Sequence, residues 1–131
     1  MIVVDTSALM AIVLDELSAD ACMSAIAGAD ALLISGGTVA EALVVADRRN
    51  VGEDMRELID GLGLEVVTVS RASAERVAAA YDRWGKGAHP AGINLGDCYA
   101  YAVAREHACP LLFIGGDFAA TDIAPALPTN E

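Results

Sequence analysis

Four carboxylates lie far apart in the chain, each just beyond a short apolar run or at the start of a helical pattern. They are Asp5 in Ile2-Val3-Val4-Asp5-Thr6-Ser7, Glu41 in Thr38-Val39-Ala40-Glu41, Asp97 in Asn94-Leu95-Gly96-Asp97 and Asp117 in Ile114-Gly115-Gly116-Asp117. None has a Lys or Arg beside it in sequence. Brought together, such groups repel one another and hold on to their protons, a cost that a bound divalent cation removes. Magnesium keeps several of its waters, so one is available as a nucleophile, and a second ion could stabilise a leaving oxygen. The matching chemistry is metal-assisted hydrolysis of a phosphodiester.

Each acid also has a simpler part to play. Asp5 suits the N-cap of a helix beginning near Ser7. Thr38 and Glu41 have the T-x-x-E spacing of a capping box after a Gly36-Gly37 turn. Asn94 reads as an N-cap with Asp97 in the first turn, where the helix dipole favours a carboxylate. Asp117 could cap the short turn from Phe118 to Asp122. The two readings separate on whether the fold carries all four acids to one place.

Four strand-sized apolar runs, Ile2 to Val4, Ala31 to Ile34, Leu64 to Val67 and Leu111 to Ile114, alternate with segments of helical periodicity. The helical stripes are Met10, Val13, Leu14, Leu17; Cys22, Ala25, Ile26, Ala29; Met55, Leu58, Ile59, Leu62; and Ala74, Val77, Ala78, Tyr81, Trp84. Strands buried on both faces and joined by long helical crossovers make a parallel sheet covered by helices. The pattern predicts a three-layer α/β/α sandwich with a central parallel sheet of four or five strands. The fifth would be an edge strand near Ala124 to Leu127, confined to an edge by Pro125 and Pro128. In such a sheet the strand exits and helix starts share one rim, where ligands bind. Asp5, Glu41, Asp97 and Asp117 are all expected at that rim.

The 131 residues fit a single domain, 1–131, with 55% hydrophobic and 21% charged residues arguing against disorder. A net charge of −11 removes the usual basic-surface warrant for a nucleic-acid binder. Residues 1–47 hold seven carboxylates and no Lys or Arg, and every basic residue lies between Arg48 and Arg105. No apolar run approaches the roughly 18 residues of a membrane span, and the start lacks the basic residues of a secretion signal, so a cytoplasmic location is expected. Cys22, Cys98 and Cys109 lack the spacings of a disulfide framework or zinc site and are expected as buried thiols. Cys98 beside Asp97 is expected to pack as a small apolar residue.

Lys86, the only lysine, stands with Trp84 and His89 in a Gly-rich loop shortly before Asn94. Lys86 could contact a phosphate, and Trp84 could stack an unpaired base, although core packing is the better reading of Trp84. His89, before Pro90, is expected to order the loop. Arg48, Arg49 and Arg56 read as solvated surface charge.

These segments together resemble the PIN-domain ribonucleases of the VapC toxin type. The resemblance rests on Met1 to Leu9, Thr38 to Leu43, the stretch Gly85-Lys86-Gly87-Ala88-His89-Pro90-Ala91-Gly92-Ile93-Asn94-Leu95-Gly96-Asp97 with its continuation to Ala102, and Leu111 to Ile123. It implies a metal-dependent endoribonuclease, the toxin of a type II toxin-antitoxin module, that cuts single-stranded or looped cellular RNA. It assigns Asp5, Glu41, Asp97 and Asp117 to the catalytic, Mg²⁺-holding site, with Mn²⁺ as a possible substitute, and Asp5 and Asp97 as the most regular ligands. Lys86, Thr6 and Ser7 are the implied substrate contacts, Thr6 or Ser7 could orient Asp5, and Asp122 is a possible fifth acid. A homodimer and a cognate VapB-type antitoxin are implied partners. The antitoxin is expected to lay a helix in a groove of the N-terminal helices and to reach toward Asp5, Glu41 or Asp97 with a basic residue.

Two positions depart from the family's pattern. Ala88 stands where a basic residue is frequent, and Gly116 where a polar residue often precedes the last acid. The alternatives are a PIN-like domain that only binds, a receiver-type signalling domain and a dehalogenase-like phosphatase. A receiver would need a second acid near Asp5 and a lysine after a late strand, and the phosphatase an Asp where Ser7 stands.

Overall fold

The computed structural model describes residues 1–128. Strand β1 (Ile2–Val4) leads into helices α1 (Thr6–Val13) and α2 (Ala19–Gly28), and β2 (Leu32–Ser35) into α3 (Gly36–Arg48) and α4 (Gly52–Gly61). Then β3 (Glu65–Val67) leads into α5 (Arg71–Trp84) and α6 (Leu95–His107), and the chain returns through β4 (Leu111–Leu112). All the strand pairs are parallel, in the order β3-β2-β1-β4. No helix among the described residues is long and apolar enough to cross a membrane.

Side chains alternate across a strand, and the sequence uses both faces. Val3, Leu33 and Leu111 pack with Val77, Trp84 and Tyr101 of α5 and α6. Val4, Ile34 and Leu112 pack on the other side with Leu9, Cys22, Ala42 and Met55 of α1 to α4. The three-layer sandwich expected from the pattern is the architecture found. Its parallel strands bring Asp5 and Ser35, the N-caps of α1 and α3, to one edge of the sheet.

Several local expectations are corrected. Helix α1 stops at Val13, Asp15 takes a left-handed backbone at φ 51°, and Leu17 is fully exposed rather than part of an amphipathic stripe. Gly36-Gly37 is not a turn but the first turn of α3, capped by the Ser35 hydroxyl, which accepts from the Gly37 N–H. Thr38 therefore lies inside the helix, and the Thr38/Glu41 capping box does not form. On α5 the buried stripe is Ser73, Val77, Ala80 and Trp84, with Ala74, Ala78 and Tyr81 outside. Strand β4 is two residues shorter than its apolar run because the Ile114 N–H leaves the ladder and donates to the Ser7 hydroxyl. The tail adds one parallel bridge, Leu111 to Pro125, on the β4 edge rather than a full fifth strand.

Two close approaches hold α6 against α3. The Tyr99 ring lies where a side chain on Gly37 would be, and the Glu41 carboxylate lies where one on Gly96 would be. Glycine at these positions lets the helices approach until Glu41 reaches the start of α6.

A methyl group at Gly37 would have to displace the Tyr99 ring. Overpacking of this kind costs about 1–3 kcal/mol, against at most about 1 kcal/mol regained from helix propensity. Gly37→Ala should therefore lower the thermal midpoint by several degrees, and an unchanged midpoint in a melting experiment would mean that the α3–α6 contact is loose.

Candidate active site

Asp5 leaves β1 and caps α1, its Oδ2 accepting from the Ser7 N–H at 3.1 Å and the Ser7 hydroxyl at 2.6 Å. The same hydroxyl accepts from the Ile114 N–H at 3.0 Å, so one serine joins the ends of β1 and β4. Asp5 is only 3% exposed, and its Oδ1 is buried with no hydrogen-bond partner. A buried carboxylate oxygen without a donor is costly. Burial accordingly raises the Asp5 pKa to about 6, against the lowering effect of the Ser7 bonds and with a further push from the Glu41 charge.

Asp97 forms a capping box with Asn94. The Asp97 N–H donates to Asn94 Oδ1 at 2.8 Å, and the Asn94 N–H donates to Asp97 Oδ2 at 3.1 Å. The capping role read from sequence holds, and the same side chain is also buried at the rim. Burial raises its pKa to about 7; the Asn94 bond opposes this, and the charges of Asp5, Asp117 and Glu41 add to it. The four acids from four segments thus act on one another electrostatically.

Glu41 is half-buried and accepts from the Thr6 hydroxyl at 2.6 Å, its carboxylate seated over Gly96. Of the two hydroxyls after Asp5, Ser7 is the one that orients Asp5; Thr6 orients Glu41. Asp117 is exposed beyond β4, in a loop that turns at Gly115 with φ 97°. Among the described residues none of the four acids is paired with a basic side chain. Nor do any three acids, histidines or thiols among those residues crowd into a ready-made cage. The arrangement is an open rim with two buried carboxylates and two outlying ones. Hard oxygen donors, an unspent Asp5 oxygen and mutual repulsion suit a divalent cation that keeps part of its water shell.

Lys86 is exposed, and its N–H donates to the Ile93 carbonyl at 3.0 Å, which places the loop directly before the N-cap of α6. Trp84 is core, 8% exposed, with its indole N–H donating to the Tyr101 hydroxyl at 2.8 Å. His89 orders the loop, its Nδ1 accepting from the Ala91 N–H. Cys98 is buried, and burial beside Asp97 pushes its thiol to about 11, so it stays protonated. Arg56 pairs with Asp47 on the surface.

Asp122 does not join the acids. Its Oδ1 accepts from the Tyr101 hydroxyl at 2.6 Å, and its Oδ2 faces Arg105 and Arg83. Sequence reasoning overlooked the Trp84-Tyr101-Asp122 chain. The available signal was Tyr101, one helical turn after Asp97 on a face otherwise made of small apolar residues.

The PIN domain family model matches residues 2–124. The chain belongs to the PIN-domain family, in its VapC branch. It is 39% identical over 129 residues to Ribonuclease VapC28 of Mycobacterium tuberculosis, covering 95% of this chain and 97% of that one. It is 38% identical over 125 residues to Ribonuclease VapC of Mycolicibacterium smegmatis, covering 93% and 97%. The fold matches Mycobacterium tuberculosis VapC20, a Sarcin-Ricin loop cleaving toxin, with a TM-score of 0.79 at 18% identity over 98% of this chain and 100% of that one. A toxin-antitoxin complex from Klebsiella pneumoniae matches with a TM-score of 0.70 at 21% identity over 93% of each chain. PIN membership displaces the receiver and phosphatase alternatives, and the order β3-β2-β1-β4 differs from the 2-1-3-4-5 order of receiver sheets.

The PIN-fold acids set a pH dependence of known sign. Unfolded, both aspartates titrate near 4; folded, they titrate at about 6 and about 7. The folded protein therefore holds protons that the unfolded chain has released, so their stabilising contribution is complete below about pH 4 and lost as pH rises through 7. Asp30 and Asp47, held below the usual range by the N-terminal amine and by Arg56, have finished titrating before this window. In chelator, the thermal midpoint should be higher near pH 5 than near pH 8, and Asp97→Asn should shrink the difference. A parent midpoint that climbs across this range would contradict the assignment.

Proposed function

We propose that this chain, read as one PIN domain over 1–131, is a divalent-metal-dependent endoribonuclease, the toxin of a type II toxin-antitoxin module. The observation that carries the reading is the buried Asp5–Asp97 pair, which among the described residues has no basic side chain beside it and leaves Asp5 Oδ1 without a donor. The names of its VapC relatives support the substrate class.

Asp5 and Asp97 would hold Mg²⁺, with Mn²⁺ as a substitute, and Glu41 and Asp117 would hold its waters. When bound, the ion supplies a water of lowered pKa and offsets charge on the phosphate. The Ser7 hydroxyl fixes the Asp5 carboxylate, the Thr6 hydroxyl fixes Glu41 and the Asn94 N–H fixes Asp97, so these three acids are oriented before any ligand arrives. The attacking water's oxygen bonds to phosphorus, its proton leaves to solvent or a neighbouring carboxylate, and the ribose oxygen departs and takes up a proton. Lys86 would meet a phosphate from the loop beside Asn94; Thr6 and Ser7 serve the carboxylates rather than the RNA. Because Asp97 titrates at about 7 and Asp5 at about 6, cation binding below neutrality releases protons and turnover should rise with pH through about 6 to 7.

Control would come from a VapB-type antitoxin, acting in the cytoplasm on a homodimeric toxin. The exposed apolar side chains of Leu17, in the connection between α1 and α2, and Met23, on α2, suit a partner helix. A basic antitoxin side chain would find the acids unpaired.

The test is cleavage of labelled RNA by purified protein in Mg²⁺, Mn²⁺ or chelator. Cleavage should require the cation, and Asp5→Asn or Asp97→Asn should reduce it to background while the protein stays folded. Lys86→Ala should weaken RNA binding and shallow its salt slope by about 0.7 for one lost phosphate contact. RNA that is bound but never cut would favour the inactive binding module, and Asn variants that cut at the parent rate would remove the metal-site assignment.

A further inference from the structure

Leu95 is the first residue of α6 and stands between two residues that touch the acids. On one side the Asn94 N–H donates to Asp97 Oδ2, and on the other the Glu41 carboxylate is seated over Gly96. Yet Leu95 is 54% exposed, whereas Ile93, two residues earlier, is buried in the core. Side chains on a helix lean toward its N-terminus, so Leu95 overhangs the start of α6, the end that carries Asp97. A single exposed leucine is ordinary on a protein surface. This one is set apart by its place, because no other large exposed apolar side chain among the described residues lies within two residues of Asp5, Glu41, Asp97 or Asp117.

The surroundings say what would meet it. The Lys86 N–H donates to the Ile93 carbonyl, so the loop that carries the exposed Lys86 side chain joins the chain two residues before Leu95. An RNA strand with one phosphate at the Asp5–Asp97 pair and a neighbouring phosphate at Lys86 passes its intervening nucleoside over residues 94–96. The large side chain exposed there is Leu95. Unpaired bases are commonly held by aromatic side chains, but Trp84, Tyr101, Phe113 and Phe118 are buried in this chain. The Tyr99 ring lies against Gly37 of α3, and the Tyr81 ring lies against Gly85, a turn back along α5. The base contact beside the acids therefore falls to an aliphatic residue, and leucine is among the side chains that wedge between bases.

We propose that Leu95 is a base wedge: it packs against the nucleoside next to the scissile phosphate and holds that base off its neighbour. The inference rests on the ribonuclease reading and adds how a single strand is recognised. An unpaired nucleotide gives up less stacking and pairing to meet a wedge than a duplex does, so the contact favours single strands and loops. It is also independent of charge, which suits a chain of net charge −11.

The experiment uses an adenine-rich single-stranded oligoribonucleotide of about 12 nucleotides carrying 2-aminopurine, whose emission rises when the base unstacks. Binding is measured in chelator across a salt series, and cleavage of the same RNA in Mg²⁺. The parent should raise the emission on binding. Leu95→Ala should bind about fivefold more weakly and lose most of that rise. Its salt slope should match the parent's, because no phosphate contact is removed, in contrast to Lys86→Ala. In Mg²⁺ its kcat/KM for this RNA should fall by a similar factor. Leu95→Phe should bind at least as tightly as the parent, since it offers a larger apolar face. The thermal midpoint of both variants should stay at the parent value, as befits an exposed position.

The proposal is overturned if Leu95→Ala keeps the parent's affinity, emission rise and kcat/KM, or if Leu95→Phe loses affinity as Leu95→Ala does. A Leu95→Ala variant that changes oligomeric state and binds RNA normally assigns the leucine to a protein interface and removes the wedge. Cleavage by the parent reports separately on the ribonuclease reading. A parent that cleaves while Leu95→Ala behaves normally sinks the wedge alone. A parent that binds with an emission rise abolished by Leu95→Ala, yet never cleaves, sinks only the enzymatic reading, and a parent that neither binds nor cleaves removes both.

Discussion

The structure turns on a pair of carboxylates buried with no counter-charge among the described residues. Asp5 sits at the centre of the sheet's edge with one oxygen held by Ser7 and the other facing no donor. Asp97 is buried at the start of α6, and each of the other three acids raises its proton affinity. A protein that only needed to fold would gain from replacing either with a neutral isostere, since an unpaired buried charge is among the larger single costs in a small domain. The cost is tolerated because the rest of the fold fixes these side chains before a cation arrives. Three hydrogen bonds each set one carboxylate: the Ser7 hydroxyl donates to Asp5, the Thr6 hydroxyl to Glu41 and the Asn94 backbone N–H to Asp97.

Assembly of the rim depends on distant contacts as much as on local caps. The parallel order brings the ends of β1 and β2 together, but Asp97 arrives on a helix that follows no strand directly. It is held there by the approach of α6 to α3, where Gly37 admits the Tyr99 ring and Gly96 admits the Glu41 carboxylate. The second coupling runs through Ser7, whose hydroxyl serves both Asp5 and the Ile114 N–H and so connects the first acid to the chain leading to Asp117. The Trp84-Tyr101-Asp122 chain ties the Lys86 loop and the Asp117 loop to α6.

The layer architecture was legible because the strands Ile2–Val4 and Leu32–Ser35 are apolar on both faces, a pattern with few alternatives in a chain of this size. The caps at Asp5 and Asn94 were legible because they depend on neighbours two or three residues away. Most of the misread features depend on partners far along the chain. Thr38 and Glu41 have capping-box spacing, but the hydroxyl of Ser35 starts the helix earlier, and Glu41 is drawn off by Thr6, thirty-five residues away. Asp122 reads as another rim acid until Tyr101 and two arginines claim it. In the α5 stripe Val77 and Trp84 are buried as expected, but Ser73 and Ala80 take the places read for Ala74, Ala78 and Tyr81, because Ala is compatible with either face and carries little directional information.

The central claim is that Asp5 and Asp97 are kept partly protonated by burial and mutual repulsion, and that a divalent cation relieves both. The direct measurement is NMR titration of the two side-chain carboxyl carbons, in chelator and again in saturating Mg²⁺. Without the cation the midpoints should lie at about 6 for Asp5 and about 7 for Asp97. With it they should fall below the ordinary carboxylate value of about 4. Midpoints near 4 in chelator, or raised midpoints that Mg²⁺ does not move, would contradict the account.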